Sequence, residues 1–422
     1  MQWVLFLPEV WADCSVMKPP LLYLCHRIPY PPNKGDKIRS YHLLRYLCEH
    51  YEVYLGAFID DPNDWKYVSV VNEMCSESLF LALNPSRAKI RSLTALVNGE
   101  ALTLPYYFNR KMAEWVNQIV TQKHIERVIV YSSAMAQYVE ENNSTITKRV
   151  IDFVDIDSDK WRQYAEKKTW PMNWIYRREA KKLLSYEKFI STSFDASLFV
   201  SSAEADLFRS LIATSDEEIT YYNNGVDTDY FSPSSDFVNP YPEDRDIVVF
   251  TGAMDYWPNI DAVIWFAQEV LPEIARHNPD LYFYIVGSNP SENVRKLADL
   301  PRIEVTGRVE DIRPYLQFAK VAVAPMRVAR GIQNKVLEAM AMEKTVVVTP
   351  QGYEGINAVI GTEVIIAENA QEMINIIPKV VSGDYPRMGS IARSRVQSDF
   401  NWEANLPIVG HWLEADKGNY DR

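Results

Sequence analysis

Short, almost wholly apolar runs recur along this chain, separated by longer stretches whose apolar residues fall at three- and four-residue spacing. In the first half, Leu21–Leu24, Tyr51–Phe58, Leu79–Leu83, Arg127–Tyr131, Arg149–Phe153 and Leu198–Val200 read as strands. In the second half, Ile247–Thr251, Tyr282–Val286, Arg302–Thr306, Val321–Ala324 and Thr345–Val348 do the same. Strands that are apolar on both faces belong to parallel sheets covered by helices on either side. The alternation therefore predicts an α/β chain of doubly wound, Rossmann-like sheets.

The pattern is sharpest from Val321 to Gly355, VAVAPMRVARGIQNKVLEAMAMEKTVVVTPQGYEG, which reads as strand, loop, helix, strand, loop. In its helix, Val336, Leu337, Met340 and Ala341 form an apolar face, and Gly331, Asn334, Lys335 and Glu338 recur on the other. Gly331 is expected in the first turn, where it leaves space for a ligand. The free N–H groups there suit a diphosphate, and Lys335 adds a cation. Glu338 is placed to accept hydrogen bonds from a pair of ribose hydroxyls.

A second corner of the same kind follows the first strand, in CHRIPYPPNKGDKIRSYHLLRYL. Pro29, Pro31 and Pro32 exclude helix, and the periodic run from Ile38 restores it, with Asp36 as the expected N-cap. Gly35 thus stands where strand turns into helix, with Lys34, Lys37 and Arg39 close by in sequence.

Length and charge narrow the function. The chain has 422 residues, more than one core usually serves, so two domains are expected. A net charge of −12 disfavours nucleic acid, whose binding requires neutralisation of phosphates. The charge is uneven: residues 160–188 carry nine Lys or Arg against three acids, interleaved with Trp161, Trp170 and Trp174. Two readings of that stretch stand, a solvated helix with its aromatics on the core or a peripheral contact with an anionic lipid surface. No run is long and apolar enough for a bilayer span, and residues 1–16 lack a basic region of the signal-peptide kind. A cytoplasmic protein is expected, with the inner membrane face as a peripheral location and residues 1–16 as a leader outside the folded body. The cysteines, Cys14, Cys25, Cys48 and Cys75, show no zinc-ligand spacing and no disulfide framework.

The run Gly331, Lys335, Val336, Leu337, Glu338, Ala339, Met340, Ala341, followed by a strand and then Gly352, Glu354 and Gly355, resembles the nucleotide-sugar site of family 4 glycosyltransferases. PYPPNKGDKIRSYH, IDFVDIDSDKWRQYA and FTGAMDYWPN resemble, within that family, the sugar transferases encoded beside PEP-CTERM and exosortase systems. The resemblance implies the GT-B fold, two Rossmann-like domains facing each other across a deep cleft. It places an acceptor-side domain at 17–231, a linker at 232–245, a nucleotide-sugar domain at 246–400, and a C-terminal helix at 401–422 that crosses back.

The resemblance also implies roles. Gly35 stands in the Gly position of the loop that faces the donor diphosphate, and Arg308 and Val309 stand where the family recognises the base. With Gly252, Gly331, Ile332, Asn334 and Glu338 they make up the donor-binding candidates. Asp152, Asp157 and Lys37 are acceptor-side candidates. Lys335, Arg330 and Asp155 are the catalytic ones. Two departures stand out: Arg330 replaces a family Glu that holds donor-sugar hydroxyls, and Gly252–Ala262 lacks the usual Arg and Lys. The positive charge must then come from Lys335, Arg330, Arg327 or Arg308. An Arg beside the donor sugar would favour a uronic acid.

The implied reaction is retaining transfer from a UDP-sugar, or alternatively a GDP-sugar, to a glycan, lipid-linked or small-molecule hydroxyl in exopolysaccharide assembly. No cofactor and no metal are expected. The triplets Asp155–Asp157 and Asp227–Asp229 match the metal-binding DxD only formally. Two other readings are a nucleotide-sugar epimerase and a non-catalytic assembly subunit.

Overall fold

A computed structural model of the chain describes residues 18–32, 35–140, 144–166, 168–216, 218–329 and 331–415. Two compact units divide at Arg149 and Val150. The first contains β1 (Pro20–Cys25), β2 (Glu52–Ile59), β3 (Glu77–Ala82) and β4 (Arg127–Tyr131), and β5 (Lys148–Val154) begins at the division. The second continues with β6 (Ala196–Phe199) and β7 (Ile219–Tyr221), and carries β8 (Asp246–Thr251), β9 (Leu281–Val286), β10 (Ile303–Gly307), β11 (Val321–Ala324), β12 (Val346–Val348) and β13 (Ile365–Ile366). A seven-stranded sheet has the order β3-β2-β1-β4-β5-β6-β7, and a six-stranded sheet the order β10-β9-β8-β11-β12-β13.

The central strands are the ones with no polar face. Leu21, Leu22, Tyr23 and Leu24 of β1 are completely buried, as are Val248, Val249 and Phe250 of β8. β8 pairs in parallel with β9 and β11, so connections on its two sides run in opposite directions. At such a reversal the loops splay apart outside the carboxyl ends of the strands and leave a crevice.

In the first unit, the helix Gly35–His50 starts at Gly35 itself, so Asp36 lies in the first turn instead of capping it. Its carboxylate accepts from Arg27 at 2.6 Å, and Arg27 also grips Asp60 through bonds of 2.9 and 2.7 Å. Burial pushes the Asp36 carboxyl up, but Arg27 and then His26 outweigh it and hold the group below its ordinary range.

In the second unit, residues 232–245 form no helix or strand, yet they are fastened down. Tyr241 is buried and its hydroxyl donates to Tyr315 O at 2.7 Å, while Gln317 brackets the Ser234 backbone with two bonds of 2.8 Å. The chain beyond Phe400 forms two short helices, Trp402–Asn405 and Pro407–Glu414, where the sequence predicts one. A Cβ on Gly225 would lie 2.6 Å from Trp402 N, so glycine is needed for this approach. Among the described residues no helix is long and apolar enough to cross a membrane.

Candidate functional site

The carboxyl ends of β8 and β9 nearly touch. A Cβ on Gly287 would fall 1.6 Å from Gly252 O, which no side chain allows. Beside this crossing Asn259, almost fully buried, donates from Nδ2 to Ala253 O at 2.9 Å and accepts from Lys335 Nζ at 2.7 Å. The Lys335 ammonium also donates to Gln333 Oε1 at 3.3 Å and lies 5.1 Å from the centroid of Phe250. Its stem passes under Gly252, where an added Cβ would meet Lys335 Cε at 3.5 Å. Burial lowers the Lys335 pKa to about 8, although Glu338 acts in the other direction. A cation is thus drawn into a largely apolar setting with no carboxylate bonded to it.

The helix that carries Lys335 runs from Asn334 to Ala341, with Val336, Leu337, Met340 and Ala341 buried as the periodicity predicts. It starts later than expected. Gly331 lies in the preceding loop with φ +65°, a left-handed backbone that glycine adopts freely, and not in the first turn. Ile332 then turns inward against the loop after β12, where a Cβ on Gly355 would meet Ile332 Cγ1 at 2.8 Å. The side-chain oxygen of Asn334 is buried without a hydrogen-bond partner. Such atoms are uncommon in folded proteins and point to a missing donor.

One turn on, Glu338 is raised to about 7 by burial, with Lys335 pulling the other way. Tyr230 lies within its field. Arg393 fixes that neighbourhood by donating to Thr228 O at 3.1 Å, Phe231 O at 2.8 Å and Ser232 Oγ at 3.0 Å, and to Ala341 O at the end of the Glu338 helix.

The other candidates separate into two groups. Arg308 is exposed just after β10, and Val309 is half-buried against the core of this sheet. Arg327 is committed to Asp261 through two bonds. Asp155 and Asp157 both lie on Lys160, at 2.9 and 3.2 Å. Burial pushes the Lys160 ammonium down, but Asp157 and Asp155 outweigh it and hold its pKa up. The Tyr256 hydroxyl, at the start of the helix after Gly252, is raised by burial and by Tyr164 and Asp155. Arg330 lies outside the described residues, as do Lys34 and residues 1–16.

Two acceptor-side expectations change. Asp152 is completely buried: Tyr222 OH donates to one carboxylate oxygen at 2.5 Å and Val154 N to the other at 3.0 Å, so it holds the fold and cannot grip an acceptor. Lys37 is likewise buried and paired with Asp64 at 2.6 Å, and Arg39 is fully buried. Lys37 and Arg39, two of the cations of the corner at Gly35, are therefore turned inward. Gly35 itself is exposed, with nothing within 4 Å of an added Cβ. The triplet at Asp227 is also absorbed locally, since Asp227 Oδ1 accepts from the backbone of Asp229 and Tyr230. Among the described residues, no cluster of three or more His, Cys, Asp or Glu could hold a metal.

Residues 245–382 match the model of the family described as Glycosyl transferases group 1. Solved structures extend the likeness to nearly the whole chain. Sucrose-phosphate synthase from Thermosynechococcus elongatus superposes with TM-score 0.67 at 17% identity, over 93% of this chain and 98% of that one. Anabaena HepE in complex with UDP-glucose gives 0.63 at 13%, over 93% and 99%. WaaG, a glycosyltransferase involved in lipopolysaccharide biosynthesis, gives 0.61 at 13%, over 94% and 100%.

The fold is GT-B.

A curated relative, an uncharacterised 44.6 kDa protein in the cps region of Klebsiella pneumoniae, is 25% identical over 214 residues. That match covers 47% of this chain and half the length of the relative. On the GT-B frame, the crevice beside β8 and β11 is the one that gathers Gly252, Asn334, Lys335 and Glu338. Asn259, Gly287, Arg393 and Tyr230 escaped the sequence reading. The quoted FTGAMDYWPN ends on Asn259, but periodicity alone does not reveal that this side chain holds Lys335.

Proposed function

We propose that this chain is a retaining glycosyltransferase that moves a sugar from a nucleoside-diphosphate sugar to a hydroxyl acceptor in exopolysaccharide or other glycoconjugate assembly. The observation that carries the reading is Lys335, a half-buried cation seated on Asn259 at 2.7 Å with no carboxylate bonded to it. Burying an ammonium without a bonded carboxylate is unfavourable unless an anion completes the site. A diphosphate fits that requirement, with the N-terminus of the helix and the ammonium both directed at it. Glu338, held near neutrality by burial, takes the ribose hydroxyls.

The chemistry follows from where charge grows. The departing nucleoside diphosphate gains negative charge as the glycosidic bond breaks, and Lys335 with the helix terminus lowers the barrier by stabilising it. Retention then comes from attack on the same face, with the leaving phosphate accepting the acceptor's proton. Asp155, steadied by Lys160 and close to Tyr256, orients the acceptor together with Asp157. A UDP-sugar is favoured by HepE, whose solved complex holds UDP-glucose. The quoted motifs support kinship with the exosortase-associated sugar transferases.

We place the functional halves at 17–231 and 246–400, joined by 232–245. The protein then works without a metal on the cytoplasmic side of the membrane. Trp170 and Trp174, 80% and 56% exposed beside Lys168, Arg177, Lys181 and Lys182, supply a peripheral contact with anionic lipid.

The test is turnover of UDP-sugars against hydroxyl acceptors with a chelator present, followed by assignment of the product anomer. An α-linked product from an α-linked donor, formed with chelator, supports the proposal. Conversion of the nucleotide sugar without any acceptor would replace it with the epimerase. Sedimentation with phosphatidylserine vesicles, lost on Trp170→Ala/Trp174→Ala, tests the lipid contact.

A further inference from the structure

Away from the crevice, the first unit holds a pair of thiols that the transferase reading does not use. Cys48 lies in the last turn of the helix Gly35–His50, and Cys75 lies just before β3. The two thiols influence one another's ionisation. Both open onto one cavity of about 450 Å³, lined also by Lys18, Tyr51, Met74 and Ser76. Neither is sealed in the core, whereas Cys25 is fully buried. Lys18, in the same lining, donates from Nζ to Cys48 O at 2.8 Å.

We propose that Cys48 and Cys75 are a reversible disulfide site, with Cys48 as the attacking thiol and Cys75 as the resolving one. The arrangement distinguishes the two sulfurs. The neighbouring Cys75 thiol lowers the Cys48 pKa, against burial and with help from Lys18, whereas Cys48 and burial raise that of Cys75. The thiolate is the nucleophile in exchange, so attack starts at Cys48.

With glutathione disulfide as oxidant, Cys48 S⁻ attacks one sulfur, the S–S bond of the oxidant breaks, and one glutathione thiolate leaves. Cys75 then loses its proton to solvent and displaces the second glutathione from Cys48. Two protein thiols are oxidised, and one glutathione disulfide is reduced to two glutathione molecules. The carboxylates of glutathione are complementary to Lys18 at the cavity mouth. The bond would tie the end of the helix that begins at Gly35 to the edge of β3.

The experiment uses the full chain. It is incubated with glutathione disulfide, alkylated without reductant, digested, and mapped by mass spectrometry before and after dithiothreitol. The expected result is a linked Cys48–Cys75 peptide that dithiothreitol removes, with Cys25 alkylated only after denaturation. Cys75→Ser should accumulate the Cys48–glutathione adduct, whereas Cys48→Ser should slow modification of Cys75 by about tenfold or more, since the thiolate partner is gone. Both variants should show the circular dichroism of the wild type. No linked peptide, with both cysteines fully alkylated, would overturn the proposal. So would linkage of Cys75 to Cys14 or Cys25.

Discussion

Lys335 Nζ and Asn259 Oδ1 are 2.7 Å apart, and the same Asn259 amide holds Ala253 O at 2.9 Å. One side chain thereby couples the cation of the crevice to the backbone turn that leaves β8. If this coupling positions the cation, removing either partner should damage the site differently. Lys335→Ala should lower kcat by about 100-fold, the scale of losing one donor to a transition-state charge. Steady-state kinetics on folded variant protein reads this directly.

Asn259→Ala should affect both folding and binding. It removes the hydrogen bonds to Ala253 O and from the Lys335 ammonium in a partly buried place, which typically lowers stability by about 1–3 kcal/mol. Denaturant unfolding should show that loss. Nucleotide affinity should fall in parallel, and a variant of wild-type stability and affinity would remove Asn259 from the account.

The pH dependence has a definite sign. Lys335 titrates at about 8 because it is buried, so the cation that a diphosphate needs disappears as pH rises through that value. Calorimetric Kd values for nucleoside diphosphate should weaken by about tenfold per unit well above pH 8, since one proton is then taken up on binding. In Lys335→Met this alkaline limb should be absent.

Glu338 provides a stability test in another window. Its folded pKa of about 7 lies above the ordinary 4.5, so its contribution to stability is complete below the unfolded value and is lost as pH rises through about 7. Glu338→Gln removes the charge that burial disfavours. At pH 8 the variant should therefore melt higher than wild type while binding nucleotide more weakly, the trade expected of a functional residue. Thermal melts at pH 5 and pH 8 give the comparison.

Lys37 and Gly35 should behave in opposite ways. Lys37→Ala leaves Asp64 as a buried, unpaired carboxylate, which typically destabilises by about 3–5 kcal/mol, so activity should fall only as folded protein is lost. Gly35→Ala adds a Cβ that meets nothing within 4 Å and should leave the melting temperature unchanged. A selective loss of donor affinity in Gly35→Ala would support its place in the proposed donor loop.

Much of the fold was legible because the central strands are buried on both faces and their middles are runs of apolar residues. The short edge strands β7 and β13 were missed, since Ile219–Tyr221 and Ile365–Ile366 are too brief to show a period. The helix from Asn334 was visible in its apolar face, but its start was misplaced. Nothing in the spacing says that Gly331 adopts φ +65° and keeps the loop out of the helix. Charge was the least legible property. Lys37, Arg39 and Asp152 look like surface ligands in the sequence, yet their partners Asp64 and Tyr222 stand far along the chain, and only the folded structure brings such pairs together.

The central claim is that the face of Asn334, Lys335 and Glu338 binds a nucleoside diphosphate. The most direct measurement is calorimetric titration of the purified protein with UDP, GDP and ADP, without added metal, repeated on Glu338→Ala. Saturable binding of one nucleotide, lost in the variant while its fold persists, is the predicted result. A well-folded protein that binds none of the three, or a Glu338→Ala variant that binds as tightly as wild type, would contradict the account.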